Sequence, residues 1–384
     1  MSLLEMFAKL EGKARPKIST TEFMTEDLKI KLFSDGRRPF LYFYDKERPE
    51  KREVPKELER TLWGLKFRSS LINAAGIFKN GDCYEVSYLQ GAGGYVGGTT
   101  TWNPRKGKEI FHIKNPMRPF PLSEGSMNTL GLPSIGLEKT LPKIKKLFKE
   151  RKVGFSEFST TEYHEDSPVL WSVSLDDSIQ DPNEALEKLD SSITLMQPFV
   201  DGFELNESCP NTESRGGLAE RLAYISETAI TGLPKPTLII PKFSNDTPIE
   251  QIPYIMGMLF ELGYSGINLG NTSKDYLSIR NSIHSKERAA FDFYTKNFEG
   301  GYGGAGLKEK SLALSAAAVK YRDAHSPDQE FHIIRTGGIS TGKDLRDSDS
   351  VGVSLNQWFT GMWRRFEDDG HNLYKKVYED LEAA

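Results

Sequence analysis

One cysteine lies in a polar loop where its thiol could do chemistry. Cys209 sits between Asn206 and Asn211 in the run NESCPN at residues 206–211, directly after an apolar segment. A thiol can act as a base or as a nucleophile, and amide side chains can hydrogen-bond the edge of a planar ligand. A lone cysteine is otherwise most often a small apolar core residue. The loop setting favours chemistry at Cys209, whereas Cys83, at a predicted helix start, is predicted to be structural.

A second reactive group is the lysine in the apolar run IIPKF at residues 239–243. Burying an unpaired ammonium group in such a strand is costly. Lys242 is therefore either ion-paired inside the fold or held against a bound ligand, and its sequence leaves both interpretations open.

Glycines after two predicted strands indicate an anion site. Gly337 and Gly338 follow one strand, and the run FTG at residues 359–361 follows the next and opens a helix. Backbone N–H groups at glycine turns and at helix N-termini attract phosphate. Phosphate binding by the loops after strands seven and eight recurs in (β/α)8 barrels. The alternative is that these glycines only allow tight turns.

Short apolar segments alternate with helical segments from residue 71 onward. The predicted strands are residues 71–76, 94–100, 169–175, 202–208, 237–244, 266–272, 332–338 and 353–360. Eight strands that alternate with helices close most simply into a (β/α)8 TIM barrel of the α/β class. We expect an N-terminal extension at 1–60 and a barrel domain at 61–384. Long connections at 102–134 and 273–306 predict insertions on the C-terminal face of the barrel.

The C-terminal ends of the strands are where active sites lie in this kind of barrel. Here they carry glycine, asparagine and threonine with few charges, which suits a flat, neutral ligand better than a metal. The histidines form no ligand-spaced pair and the carboxylates form no cluster, so we expect no metal.

Composition excludes several classes of protein. The 384 residues carry a net charge of −4 with both signs interleaved, so no nucleic-acid surface is expected. Two cysteines in a chain of this length suit a reducing cytoplasm. No apolar run reaches the roughly 18 residues of a membrane span, and the N-terminus lacks the pattern of a secretory signal.

The first 60 residues have their own pattern. Leu3, Leu4, Phe7 and Leu10 recur at helical spacing and predict a short amphipathic helix. We expect an arm docked on the barrel, with a helix that binds a membrane surface or a partner as the alternative. The predicted location is the cytoplasm, with peripheral membrane association through this arm as the alternative.

From about residue 62 to the end, the sequence resembles the dihydroorotate dehydrogenases, FMN enzymes of pyrimidine synthesis with a (β/α)8 barrel. The motifs that carry the resemblance are NESCPN at 206–211, SMNTLGLP at 126–133, PK at 241–242, residues 268–272 and the glycine pairs at 303–304 and 337–338. The resemblance implies oxidation of (S)-dihydroorotate to orotate in de novo UMP biosynthesis. It also implies that Cys209 is the base and that a hydride passes to flavin N5.

The resemblance implies a role for each residue at the strand ends. The implied substrate-binding residues are Lys79, Asn128, Leu130, Gly131, Leu132, Asn206, Asn211, Asn271 and Thr272. The implied FMN-binding residues are Ala74, Ala75, Gly76, Thr100, Asn206, Lys242, Asn268, Gly303, Gly304, Gly337, Gly338, Phe359 and Thr360.

The family divides into classes, and this sequence mixes their signs. The cysteine base and the run NTLGLP at 128–133 are similar to the soluble class 1 enzymes, whereas AAGIFKNG at 74–81 is similar to the membrane-associated class 2 enzymes. Class 1 enzymes usually have a lysine near the end of strand two, where this chain has Gly98. We expect Lys79 to supply the missing charge. The electron acceptor implied is fumarate or a quinone, and a homodimer is expected.

Three other functions remain alternatives. The chain could be a related FMN-dependent dihydropyrimidine oxidoreductase, or a non-catalytic flavin-binding barrel. The third alternative makes Cys209 a covalent nucleophile, as in barrel dehydrogenases that act on purine nucleotides.

Overall fold

Parallel strands arranged as a barrel form the centre of the protein. The computed structural model describes residues 1–153, 166–207, 217–232, 237–327 and 329–382. In chain order the strands of this part of the chain are β1 (Arg60–Leu62), β2 (Leu65–Phe67), β3 (Leu71–Asn73), β4 (Tyr95–Thr100), β5 (Glu109–Ile110), β6 (Ile113–Lys114), β7 (Met117–Phe120), β8 (Gly125–Asn128), β9 (Val169–Val173), β10 (Gly202–Asn206), β11 (Ile239–Phe243), β12 (Gly266–Leu269), β13 (Gly301–Gly304), β14 (His332–Thr336) and β15 (Leu355–Trp358).

Helices surround this barrel and extend from it at the N-terminus. In the same described ranges the α-helices are α1 (Leu3–Thr20), α2 (Glu26–Tyr44), α3 (Tyr84–Leu89), α4 (Leu137–Val153), α5 (Pro182–Met196), α6 (Leu218–Ile225), α7 (Ile252–Glu261), α8 (Tyr276–Ser282), α9 (Arg288–Asn297), α10 (Lys308–His325), α11 (Gly342–Ser350), α12 (Thr360–Asp369) and α13 (Leu373–Glu382). None of them is long and apolar enough to span a bilayer.

The barrel consists of eight parallel strands in the order β3-β15-β14-β12-β11-β10-β9-β4. Its two ends meet because the N–H of Gly93 donates to Leu71 O at 2.9 Å and the N–H of Gly76 donates to Gly98 O at 2.9 Å. The predicted (β/α)8 TIM barrel of the α/β class is therefore confirmed. Several predicted strands extend too far at their C-terminal ends, because those residues leave the sheet to form loops; Gly76, for example, has a φ of 92°.

The barrel interior is apolar at the end where the strands begin. Ile72, Val96, Leu170, Ile240, Ile334 and Leu355 pack there against Leu62 and Phe67. The last two belong to the β1–β2 hairpin, whose strands pair antiparallel. The hairpin thus packs on the strand starts and leaves the opposite end of the barrel for a site.

The two long connections meet on the C-terminal face, as the predicted insertions require. β8 from the first insertion pairs antiparallel with β13 from the second, and β7 pairs with the other edge of β8. This three-stranded sheet was not predicted from the sequence. It brings Asn128, at the end of β8, opposite Gly301.

The N-terminal arm is a pair of helices that contacts the barrel. Leu4 and Ala8 of α1 are buried, whereas Leu3, Phe7 and Leu10 are exposed. The predicted helix is present as α1, and of the four residues that indicated it Leu4 is the buried one. At the end of α2, the Tyr44 hydroxyl is buried and donates to Gln90 Oε1 at 2.7 Å. The boundary of the arm at residue 60 remains a prediction.

Candidate active site

A deep cavity opens at the C-terminal ends of the barrel strands, where the sequence predicted a site. It encloses about 1440 Å³ of empty space, including its open mouth. Most predicted site residues line it: Ala74, Ala75, Gly76, Lys79, Asn128, Leu130, Gly131, Leu132, Asn206, Lys242, Asn271, Thr272, Gly303, Gly304, Gly337, Gly338, Phe359 and Thr360. The lining therefore combines residues of barrel strands, residues of the loops that follow them, and residues of both insertions.

Four predicted site residues are not part of this lining. Cys209 and Asn211 lie outside the described residues. Thr100 is buried, and its hydroxyl accepts a hydrogen bond from Trp171 Nε1 at 2.9 Å. Asn268 is also buried, and its Nδ2 donates to Glu204 Oε2 at 2.7 Å. Contact of Thr100 or Asn268 with a cofactor remains a prediction.

The floor of the cavity carries a buried ion pair. Lys242 Nζ lies 3.1 Å from Glu204 Oε1 and donates to Gln357 Oε1 at 2.9 Å. The hydroxyl oxygen of Thr336 lies 3.1 Å from Gln357 Oε1. The interpretation of Lys242 as an ion-paired residue is thus confirmed, and because Lys242 also lines the cavity, the ligand interpretation stands beside it.

Lys79 reaches the loop that was predicted to bind a substrate carboxylate. Its Nζ donates to Pro133 O at 3.0 Å, and its own carbonyl accepts from the N–H of Gly98 at 3.2 Å. Gly98 has a φ of 90°, and a side chain added there would collide with the carbonyl of Ser172. A lysine does not fit at position 98 in this backbone, and Lys79 places an ammonium group beside the same strand.

Amide side chains gather on the opposite side of the cavity. Asn271 Nδ2 lies 3.5 Å from Asn206 Oδ1, and Asn271 Oδ1 accepts from the N–H of Thr272 at 3.0 Å. Asn128 Nδ2 donates to Gly301 O at 3.4 Å. These amides present donors and acceptors to a planar ligand within the same cavity.

An ion pair joins the two ends of the segment that contains Cys209. Glu207 precedes residues 208–216 and Arg221 follows them, and Arg221 Nη2 lies 2.6 Å from Glu207 Oε2. Burial raises the pKa of Glu207, although Arg221 opposes that shift. The pair links the end of β10 to α6.

Glycines leave room for a ligand on the side of β14 and β15. A Cβ added to Gly303 would meet only Thr360 Oγ1 at 3.5 Å, and one added to Gly76 would meet only the Phe359 ring at 3.7 Å. Gly337 and Gly338 have φ values of 136° and 76°. Side chains at these positions would occupy the cavity or strain the turns, which fits the predicted cofactor cradle.

Sequence reasoning missed several cavity residues, of which Glu204 and Gln357 are the most informative. Both are almost fully buried polar side chains on barrel strands. The argument that singled out Lys242, a charge inside an apolar strand, applies equally to Glu204 in the run GFELN. Arg364 and Glu124 also line the cavity and pair with each other at 3.0 Å.

Comparison with known proteins assigns the chain to a family. The family model described as dihydroorotate dehydrogenase matches residues 57–384. The chain belongs to the dihydroorotate dehydrogenase family. It is accordingly a dihydroorotate dehydrogenase-type oxidoreductase that acts on a CH–CH bond, and the family binds a flavin.

Relatives in the family carry different electron acceptors in their names. A dihydroorotate dehydrogenase (quinone) from Thermosynechococcus vestitus is 28% identical over 335 residues, which cover 85% of this chain and 81% of the relative. The catalytic subunit of a dihydroorotate dehydrogenase B (NAD(+)) from Pyrococcus abyssi is 28% identical, covering 84% and 92%. A dihydroorotate dehydrogenase A (fumarate) from Lactococcus lactis is 26% identical, covering 85% and 93%.

Solved structures share the fold. The dihydroorotate dehydrogenase of Eimeria tenella in complex with ferulenol superposes with a TM-score of 0.74 at 21% identity, covering 90% of this chain and 89% of that one. The ligand-free form of the same enzyme gives a TM-score of 0.73 at 22% identity.

Proposed function

We propose that this chain oxidises (S)-dihydroorotate to orotate in de novo pyrimidine synthesis, with FMN as its flavin and Cys209 as the base. The observation that carries the proposal is the cavity, which brings the carboxylate loop, the amide side chains and Lys242 together. A non-catalytic barrel would have no need for this set of donors around one opening.

The substrate carboxylate is held by Lys79 and the loop at 130–132. A carboxylate taken out of water needs a cation or several N–H donors. Lys79 Nζ lies 3.0 Å from Pro133 O, at the end of this loop. Asn128, Asn206 and Asn271 bind the polar edges of the pyrimidine ring and orient it.

FMN fits the glycine-lined side of the cavity. Gly76 and Gly303 leave space for it, and the N–H groups of the Gly337–Gly338 turn after β14 and at the start of α12 attract its phosphate. Lys242 supplies a cation at the floor. When bound, FMN supplies the hydride acceptor of the reaction.

Cys209 removes the proton from C5 of dihydroorotate. This role rests on the resemblance of residues 206–211 to the loop that carries the base in this family. A free thiol has a pKa of about 8.5, so oxidation should speed up as the pH rises toward that value. Asn206, three positions before Cys209 in the sequence, lines the cavity, which supports this assignment.

The electron acceptor is fumarate or a quinone, and the protein is a cytoplasmic homodimer. Relatives of similar identity are named for quinone, fumarate and NAD(+). Exposed Leu3, Phe7, Leu10 and Phe23 on the arm favour a quinone taken from a membrane surface.

Anaerobic reduction by dihydroorotate tests the proposed chemistry. The wild-type protein with FMN should lose its yellow colour, and Cys209→Ser should bind FMN and orotate normally but reduce the flavin much more slowly. Cys83→Ala is the matched control, because Cys83 is buried at the start of α3 and should not affect the rate.

Two results would contradict the proposal. Unchanged reduction in Cys209→Ser would remove the base assignment, and a wild-type flavin that dihydroorotate cannot bleach would remove the activity. Adding fumarate, a soluble quinone or NAD to the reduced protein then identifies the acceptor, as the compound that restores the yellow absorbance fastest.

A further inference from the structure

Glu204 places a buried negative charge beside Lys242 at the floor of the cavity. It lies on β10 and Lys242 on the neighbouring strand β11, with Oε1 and Nζ 3.1 Å apart. Their exposed fractions are 1% and 3%, yet both side chains line the cavity. The floor under a ligand therefore carries two opposite charges.

Neutral side chains hold this carboxylate in one position. Asn268 Nδ2 and Gln357 Nε2 each donate to Glu204 Oε2 at 2.7 Å. The amide oxygen of Gln357 accepts from Lys242 Nζ at 2.9 Å, and the hydroxyl of Thr336 donates to Asn268 Oδ1 at 2.8 Å. The ring of hydrogen bonds spans β10, β11, β12, β14 and β15, so neither charge can turn away without breaking several bonds.

Stability alone does not explain why charges are kept at this place. A buried ion pair loses hydration on both partners, and apolar replacements of similar volume are often as stable. The interior at the start of the same strands is packed with apolar side chains. In the part of the chain that the structure describes, this ring of hydrogen bonds lies at the end of the barrel that opens into the cavity.

The Glu204–Lys242 ion pair changes the net charge that a bound flavin would have beside its ring. A cation beside the pyrimidine edge of the ring favours the reduced, anionic form, and charges near that edge tune the electronics of the cofactor. In a low-dielectric site a carboxylate about 3 Å from the ammonium cancels much of its field. The effective charge under the flavin is then much smaller than that of Lys242 alone.

We propose that Glu204 is a positioning residue that balances the charge of Lys242 and thereby keeps the reduction potential of the bound flavin low. The proposal rests on FMN binding in the cavity, as proposed above. It assigns Glu204 a role in tuning the flavin and none in direct contact with the substrate.

The midpoint potential of bound FMN tests this role. Glu204→Gln removes the charge but keeps the volume, and should raise the ratio of reduced to oxidised flavin at a fixed applied potential at least tenfold, which is about 30 mV for a two-electron couple. Glu204→Asp keeps the charge but withdraws it by one methylene, and should give a potential between those of the wild type and Glu204→Gln. Asn268→Ala removes one neutral donor from the same carboxylate and should change the potential less than Glu204→Gln.

The outcomes separate this inference from the proposed function. Wild-type potentials in both Glu204 variants, with FMN bound and dihydroorotate still bleaching the wild type, would overturn only the role of Glu204. An Asn268→Ala shift as large as that of Glu204→Gln would also overturn it, because loosening of the ring rather than charge would then set the potential. A wild-type protein that does not bind FMN would overturn both proposals. If Glu204→Gln does not fold, a wild-type potential in Glu204→Asp overturns the inference and a raised potential supports it.

Discussion

At the scale of single residues, Lys79 contacts both strand β4 and the end of the loop at 130–133. Its backbone bonds to Gly98 on β4, and its side chain reaches Pro133 at the end of the carboxylate loop. Any side chain at position 98 would collide with the carbonyl of Ser172, so a lysine cannot occupy that position in this backbone. The hypothesis that Lys79 replaces a lysine at this strand thus has a steric reason.

Replacing Lys79 by methionine should weaken orotate binding by about 10- to 100-fold. Charge-assisted hydrogen bonds contribute about 1.5–3 kcal/mol, and about 1.4 kcal/mol corresponds to a factor of ten in affinity. Lys106→Met, at an exposed lysine of the first insertion, is the control and should bind orotate normally. Titration of the flavin spectrum with orotate measures both, and equal affinities would refute the role of Lys79.

Single residues differ in how well their sequence context predicted their place. Gly337 and Gly338 were expected at the cavity because they follow the seventh barrel strand, and both line it. Glu204 was overlooked because Phe203 and Leu205 make its strand look uniformly apolar. Its partner Lys242 lies 38 positions away in sequence, and no local pattern shows that two such residues face each other across neighbouring strands.

At the scale of elements, the small sheet on the C-terminal face controls the shape of the cavity. β8 carries Asn128 and β13 carries Gly303 and Gly304, so the sheet holds substrate-side and cofactor-side residues in register. The barrel strands could be predicted because strand and helix alternate locally along the chain. The pairing of β8 with β13 could not, because it joins segments more than 170 residues apart and both read as polar, glycine-rich loops.

Adding a methyl group at Gly301 should disrupt this sheet. An alanine Cβ there would collide with the Thr272 side chain, and overpacking of this kind costs about 1–3 kcal/mol. We expect Gly301→Ala to lower the Tm of the FMN-free protein and to weaken orotate binding, because Thr272 and Asn128 both move. Thermal unfolding and orotate titration measure the two effects.

Gly303→Ala is the matched control two residues along the same strand. Its Cβ would meet only Thr360 Oγ1 at 3.5 Å, so the FMN-free protein should unfold at the wild-type temperature. The methyl group would extend into the cavity, and FMN affinity should fall. A loss of stability equal to that of Gly301→Ala would show that the two glycines do not differ in the way the structure indicates.

At the scale of the whole molecule, the arm and the barrel are joined by buried polar contacts as well as by apolar packing. Arg118 of β7 is fully buried; its Nη2 lies 3.1 Å from Glu26 Oε2 and donates to Ser19 O at 3.0 Å. Glu287 is also fully buried, and its Oε1 accepts from the hydroxyl of Ser19 in α1 at 3.4 Å. An arm docked on the barrel was expected from sequence, but these partners come from both insertions and could not be identified without the fold.

The contact between α1 and α12 should make the docking of the arm depend on pH. Arg15 pairs with Glu367 there, and burial raises the pKa of Glu367 to about 7 although Arg15 opposes the shift. A carboxyl with a raised pKa binds its proton more tightly in the folded protein than in the unfolded chain. Its contribution to stability is therefore complete below the unfolded pKa of about 4.3 and is lost as the pH rises through about 7.

Glu367→Gln cannot ionise and should escape this loss. The difference in Tm, variant minus wild type, should increase between about pH 5 and about pH 8, because only the wild type loses stability over that range. Asp35→Asn, at an exposed carboxylate that pairs with Lys31 on the surface of α2, is the control and should give a constant difference. A difference for Glu367→Gln that stays flat would mean that Glu367 does not make the docking pH-dependent, and a difference that decreases as the pH rises would mean that Arg15 stabilises the ionised carboxylate. Either result would refute the prediction.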